Sequence, residues 1–408
     1  MLVVLTTHPI QYQVPLWQAL TRDGRVRFEV WFLTDHGVRV SYDREFSRNF
    51  SWDLEMLDGY TYRFLTTARG ATPVSFWRCH LREPLAKRLR VSGATALWIQ
   101  GWQVAGYWQA VWAAKRAGVQ VWLRGESNDL VSPAIWKRGV KSLLLGEFFQ
   151  RVDHFLYIGT ANRRFYEKFG VPASRLHPGL YAVDNDRFAR EAKNLQSRRL
   201  EIRARWGIPE YAYCVLFCGK FIPKKRPHDV IAAAQRLIKS GQIPNIHLLF
   251  VGSGELEDEL RRSCLVFKEA NRGDSGRHAT AENCDRPAAS FPGFLNQSQI
   301  CQAYVAADSL VLPSDYGETW GLVVNEAMAT GLPCVLSDRC GAAMDLAELP
   351  RNRVFPCGDV LGLASQIADL FTSSRSSPRA SPPQSFSFAS TISTVAGLYA
   401  DSRKPIYN

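Results

Sequence analysis

Short apolar runs alternate with stretches of helical period along most of this chain, and that rhythm limits its fold more than any other feature. Residues 2–6 (LVVLT) form an apolar run ending in a polar loop, followed by an expected helix at Tyr12–Thr21 and a strand at Phe28–Thr34. Strand, loop, helix, strand is a βαβ unit, whose crossover makes the two strands parallel. The rhythm returns with a strand at Leu97–Gln100, a helix at Ala105–Ala117 closed by Gly118, and a strand at Val119–Leu123 running into Arg124-Gly-Glu-Ser. It recurs later with strands at Cys214–Cys218, His247–Val251, Ser309–Leu312 and Pro333–Ser337. Helices are expected between them at Pro227–Ser240, Glu255–Arg262, Ile300–Ala307 and Leu322–Thr330. The class is therefore α/β, with ligands expected at the carboxyl ends of the strands.

At 408 residues the chain is too long for one ordinary core. The rhythm breaks over Pro178–Phe188, which reads as a hinge, giving an amino-terminal domain at 1–185 and a second at 186–385. Residues 265–290 are polar and aperiodic and read as a surface insertion. Residues 372–386 (TSSRSSPRASPPQSF) are rich in Ser, Pro and Arg and read as a flexible tether. It leads to a last segment, 387–408, whose helix near Ser390–Ala400 is expected to return toward the first domain.

A formal net charge of +12 biases the surface toward anionic partners without choosing among them. Nine scattered cysteines, with no CxxC pair and no Cys/His cluster, read as reduced thiols in a cytoplasmic chain. The first residues lack a basic leader, and no apolar run approaches the roughly 18 residues of a membrane span. Membrane contact, if any, is expected to be peripheral.

Three segments of the second half carry chemistry. In Phe217-Cys-Gly-Lys-Phe-Ile-Pro-Lys-Lys-Arg-Pro a strand runs into Gly219, where backbone can approach a ligand closely. Lys220 and Lys225 then supply point charges suited to a diphosphate, or else form a solvated basic loop. In Val251-Gly-Ser-Gly-Glu, Gly252 and Gly254 follow a strand and precede a helix; the pattern suits an anion or an ordinary turn. The third segment runs from Leu312 through Glu318-Thr-Trp-Gly-Leu-Val-Val-Asn-Glu326. It sets one carboxylate in a loop and another eight residues on, inside a helix that starts near Gly321 and Leu322. That helix end favours a phosphate.

As an ordered set, these segments resemble glycosyltransferase family 4, a family of retaining GT-B enzymes. Gly219-Lys220 with Lys225 matches its Gly-Arg-x4-Lys pattern, Gly252-Ser-Gly254 its Gly-x-Gly loop, and Glu318 to Glu326 its Glu-x7-Glu motif. Lys220 replaces the usual Arg, keeping the charge but losing the bidentate fork. The match is specific over Tyr213–Asp359 and looser before it. The resemblance implies two Rossmann-like domains with parallel sheets facing an interdomain cleft, the second domain binding donor and the first acceptor. It implies further that Glu326 holds the ribose hydroxyls and Glu318 a hydroxyl of the donor sugar, while Lys220 and Lys225 neutralise the diphosphate. Amides of Thr319, Trp320, Gly321 and Leu322 would touch sugar and phosphate, and Phe294 and Leu295 would lie along the base.

Acceptor candidates in the first half are His8 and Gln11, Gln100 and Trp102, and Arg124 with Glu126, each set following a strand. His8, also a candidate catalytic residue, could equally be a capping residue. The family often places His where this chain has Gln100 and Arg124, which puts a His-assisted acceptor mechanism in doubt. Ten of the twelve tryptophans precede residue 137. Trp108 and Trp112, four apart on a helix, are expected to pack inward.

The expectation is a retaining, metal-independent glycosyltransferase that moves a hexose or N-acetylhexosamine from a UDP- or GDP-sugar to a glycan or lipid-linked acceptor. The family includes enzymes building lipopolysaccharide, capsule and cell-wall glycans. No metal and no cofactor is expected beyond the nucleotide-sugar substrate. One alternative keeps the fold and makes the chain a nucleotide-sugar epimerase or a phosphorylase. Another class, a basic nucleic-acid or membrane-surface binding protein, fits the charge but not the dispersion of the basic residues.

Overall fold

In the computed structural model, residues 1–38, 41–43, 48–50, 52–130, 135–267, 286–346, 349–374 and 384–404 are described. In chain order the strands are β1 (Leu2–Thr6), β2 (Phe28–Phe32), β3 (Ser41–Asp43), β4 (Arg48–Phe50), β5 (Tyr62–Phe64), β6 (Ala96–Ile99), β7 (Gln120–Leu123) and β8 (His154–Tyr157). There follow β9 (Leu176–Pro178), β10 (Tyr213–Cys218), β11 (Ile246–Val251), β12 (Leu265–Val266), β13 (Ala288–Gly293), β14 (Ser309–Leu312), β15 (Cys334–Ser337) and β16 (Arg353–Phe355). One seven-stranded sheet has the order β5-β2-β1-β6-β7-β8-β9 and another β12-β13-β11-β10-β14-β15-β16, while β3 and β4 form a small sheet of their own. Every pairing within the two large sheets is parallel. The α/β architecture of two parallel sheets is thus the one the apolar rhythm calls for.

The chain divides into two compact units. One comprises residues 1–41, 50–184 and 384–408, the other 42–49 and 185–383. In the first unit β1, β2, β6 and β7 are covered on both faces, which is why they read as apolar runs. Val3 and Leu5 face one cluster with Trp31, Ile99, Tyr107, Phe148 and Phe155. Leu2 and Val4 face another with Trp17, Trp98 and Trp122, completed by Ile392, Val395, Leu398 and Tyr399 of the helix Phe388–Ser402. In that helix Thr391 donates to the Leu180 carbonyl at 3.1 Å. The core of the second unit gathers Val215, Phe217, Leu248, Phe250, Val311 and Val335.

Several expectations are corrected. Trp108 does pack against the core, but Trp112 is 41% exposed, with the Arg151 guanidinium 3.7 Å over its ring. The stretch 265–290 is not wholly an insertion. Its first two residues form edge strand β12, and β13 starts at Ala288 beside β11. β12 is only two residues long, and β13, with the sequence AASFPG, has small and polar residues and a proline in place of an apolar run; residues 268–285 lie outside the described residues. Residues 372–374 finish the helix Val360–Ser374, while 375–383 also lie outside them.

Candidate active site

Because β13, β11, β10 and β14 are adjacent and parallel, the loops that follow them meet at one edge of the second sheet. Those loops carry Phe294 and Leu295, Gly252 and Gly254, Gly219 to Lys225, and Pro313 to Gly321. The β10 and β11 loops interlock. Phe221 N–H donates to the Ser253 carbonyl at 2.9 Å, Leu256 N–H to the Phe221 carbonyl at 3.0 Å, and Gly252 N–H to the Gly293 carbonyl at 3.0 Å. A Cβ on Gly252 would stand 1.9 Å from the Gly219 carbonyl oxygen, and one on Gly254 2.6 Å from that of Phe221. The Gly-x-Gly pattern is therefore required by loop packing as such, and the close fit brings Gly219 and Lys220 to the same edge.

The third loop adds the acids. Asp315 N–H donates to the Lys224 carbonyl at 2.8 Å, which ties the β14 loop to the β10 loop. Lys225 Nζ forms an ion pair with Glu318, the two side chains being 21% and 13% exposed. Ser314 Oγ donates to the same carboxylate at 3.2 Å. Gly341 N–H donates to the Glu318 carbonyl and Ala342 N–H to that of Trp320, each at 3.1 Å, so this loop is pinned by backbone on its far side. Trp320 itself is buried, its Nε1 donating to Asn325 Oδ1 at 2.7 Å, so its ring braces the loop. Thr319 lies beside it, and Gly321, at φ 100°, caps the helix Leu322–Ala329.

Glu326 lies inside that helix, 4% exposed. Its carboxylate accepts from Tyr304 Oη at 2.5 Å and from Gln297 Nε2 at 3.5 Å, and Arg187 holds Gln297 in turn at 2.7 Å. Burial raises its pKa, and these two hydrogen bonds and Arg187 oppose the rise. The Cys218 thiol lies within electrostatic reach of both Glu326 and Lys225. Burial pushes it up to about 12, Glu326 acts in the same sense, and Tyr304 and Lys225 act against it. Lys225, Glu318 and Glu326 thus share a neighbourhood with a helix amino terminus, and Lys220 is half-buried on the adjoining turn.

The other candidates lie at the carboxyl edge of the first sheet, after the adjacent strands β1, β6 and β7. His8 is half-buried, with Nδ1 2.9 Å from Thr7 Oγ1 and its ring edge-on to His36 at 5.1 Å. Burial, with His36 adding, lowers its pKa to about 4. Gln11 lies in the turn before the helix Val14–Asp23. Gln100 is 7% exposed and Arg124 4% exposed, and among the described residues neither Gln100 Nε2 nor Arg124 Nε meets a hydrogen-bond acceptor. The Arg124 guanidinium sits 4.6 Å over the Tyr181 ring, and burial pushes its pKa down to about 10. Tyr181 Oη donates to Glu126. Trp102, by contrast, is stacked on Phe165 at 5.7 Å and backs onto Gly125, so one face of its ring is already covered.

Sequence reasoning missed Ser314, Gln297 and Tyr304, which hold the two acids, and Asn162 and Tyr166, which bond the backbone around Gly125. Tyr304 lies 22 residues from its partner in an apolar helix, where no local pattern marks it.

Residues 212–373 match the family model described as Glycosyl transferases group 1, a span that holds all three motif segments. Among curated relatives, a phosphatidyl-myo-inositol mannosyltransferase of Mycolicibacterium smegmatis is 30% identical over 162 residues, 40% of this chain and 36% of the relative. A D-inositol 3-phosphate glycosyltransferase of Corynebacterium efficiens is 26% identical over 235 residues, 54% of this chain and 48% of the relative. This chain therefore spans less than half the length of either. Among solved structures, a glycosyltransferase from Rickettsia africae superposes with a TM-score of 0.67 at 12% identity, covering 99% of this chain and 98% of that one. Anabaena Alr3699/HepE, in complex with UDP and glucose, gives 0.66 at 16% identity, covering 98% and 99%. The chain thus has the GT-B fold, and its residues 212–373 are similar to the group 1 glycosyl transferases.

Proposed function

We propose that this chain is a retaining glycosyltransferase of family 4 that moves a hexose or N-acetylhexosamine from a UDP- or GDP-sugar to a glycan or lipid-linked acceptor. The observation that carries this reading is the Lys225–Glu318 ion pair beside the amino terminus of the helix that bears Glu326. A pyrophosphate placed there would meet Lys220, Lys225 and the positive end of the helix dipole. The UDP bound by the Anabaena neighbour favours a UDP-linked donor here.

In the proposed step the acceptor hydroxyl attacks the anomeric carbon on the face from which the diphosphate departs. The new C–O bond forms as the bond to the diphosphate oxygen breaks, and a phosphate oxygen takes the hydroxyl proton. Lys220, Lys225 and the amides from Thr319 to Leu322 stabilise charge on the leaving group without a metal. Glu318 orients a donor hydroxyl, and Glu326 holds the ribose. His8, Gln11, Gln100, Arg124 and Glu126 are the proposed acceptor residues. Gln100 Nε2 and Arg124 Nε, both buried at this strand edge and without a partner among the described residues, support this as donors for an acceptor.

A thermal-shift panel of UDP-, GDP-, ADP- and dTDP-sugars tests the donor. A sugar nucleotide at 100 times its Kd should add about 2.7 kcal/mol. Glu326→Ala should abolish that shift and lower kcat/KM at least ~10-fold, since charge-assisted hydrogen bonds contribute roughly 1.5–3 kcal/mol. An unchanged shift would remove Glu326 from the donor site.

A further inference from the structure

Although the basic residues are spread along the chain as a whole, residues 66–91 hold six Lys and Arg against a single acid, Glu83. Glu83 is committed to an ion pair with Arg88. Among the described residues, none of Arg69, Arg78, Arg82 and Lys87 has an acidic partner, and all four are exposed. Within this stretch a bridge between Thr67 and Leu81 closes a loop, whose two arms are tied again by Ala68 N–H donating to the His80 carbonyl at 3.1 Å.

The loop is firmly held. Ala105 N–H donates to the Phe76 carbonyl at 3.0 Å and Gly106 N–H to the Cys79 carbonyl at 2.8 Å, with Cys79 fully buried. The Phe76 ring leans on Trp108, which packs on Phe148 at 4.6 Å. Yet this braced loop turns Val74 and Trp77 outward, 90% and 79% exposed. Leu144, one helical turn before Phe148 on the same helix face, is 55% exposed, and Leu143 beside it 77%. Large apolar side chains held out by a fixed loop, flanked by uncompensated arginines, match the chemistry of a bilayer interface. Tryptophan and aliphatic groups enter at headgroup depth while cations meet lipid phosphates.

We propose that residues 68–80 form a docking loop for an anionic membrane surface, with Val74 and Trp77 inserting and Arg69, Arg78 and the adjoining Arg82 engaging phosphate headgroups. The proposal stands on this loop independently of the transfer reaction. If both hold, docking brings the strand end bearing Gln100 close to the bilayer, because the loop is bonded to the start of the helix Ala105–Ala117 that follows it.

Co-sedimentation of the full chain with vesicles tests it, using phosphatidylcholine alone and phosphatidylcholine mixed with phosphatidylglycerol. Binding is expected only to the mixed vesicles and should fall as salt rises. The pair R69Q/R78Q should weaken it roughly 25-fold, taking about fivefold for each cation near the surface. The pair V74D/W77S should weaken it at least ~10-fold, and R236Q, an exposed arginine of the other unit, should leave it unchanged. All these side chains are exposed, so an unaltered Tm separates lost docking from lost folding. The proposal is overturned if the wild-type chain ignores mixed vesicles, if V74D/W77S binds them as well as wild type does, or if R236Q weakens binding as much as R69Q/R78Q. It is equally overturned if the loop variants lose binding to a polyanion such as polyuridylate while keeping binding to vesicles.

Discussion

Lys225 and Glu318 each carry a charge that is mostly withdrawn from water, so neither can be removed without consequence for the other. Lys225→Met should destabilise the fold by about 1–3 kcal/mol, because it strands a carboxylate that is only 13% exposed. The double variant K225M/E318Q should recover much of that stability in urea denaturation while turnover stays at least ~100-fold down. Recovery of activity together with stability would show the pair to be structural. His247, fully buried on β11 and 2.8 Å from Ser290 Oγ, has its pKa lowered by burial from 6.5 to about 4. The unfolded chain therefore takes up that proton first. The stability it contributes is complete above pH 6.5 and is lost as pH falls toward about 4. His247→Gln should flatten the decline measured by urea denaturation across that window. The two acids were legible because eight-residue spacing and an intervening Gly-Leu are local signals. Their supports were not, since Tyr304 and Gln297 reach Glu326 only through the packing of separate elements.

Among the elements, the long apolar strands β1, β10, β11 and β14 could be read directly, because burial on both faces removes any polar interruption. The edge strands β5, β12 and β16 could not be read. Two or three residues carry no period, and their exposed sides admit polar side chains such as those of Arg63 and Arg353. The glycine loops were legible as a pattern but not as to cause. Composition cannot tell a phosphate cradle from a backbone crossing, whereas the 1.9 Å approach at Gly252 makes the crossing explicit. Gly252→Ala is expected to cost about 2 kcal/mol or more, through the clash and the left-handed backbone at φ 138°. It should also displace Lys220 and weaken donor binding. A Tm within one degree of wild type would show that the β10 loop can yield.

For the molecule as a whole, the βα rhythm conveys two parallel sheets but not which piece of chain finishes each core. A Ser- and Pro-rich stretch ahead of residues 387–408 suggested a return, yet only packing assigns Ile392, Val395, Leu398 and Tyr399 to the cluster of Leu2 and Trp17. Each such burial contributes roughly 1.5–3 kcal/mol, so four together rival the full stability of a small domain. A chain ending at residue 383 should therefore lose the thermal transition of the first unit while keeping that of the second. The second would still respond to a nucleotide sugar in calorimetry if the proposed donor site is sound.

That closing helix also sets an order of events during synthesis. Residues 2–6 and 28–32 must wait for Phe388–Ser402 before their sheet is sealed, whereas the strands of the second unit are all translated before residue 356. The second unit should thus mature before the first, whose sheet, though made earlier, holds an open apolar flank the longest and leans most on chaperones.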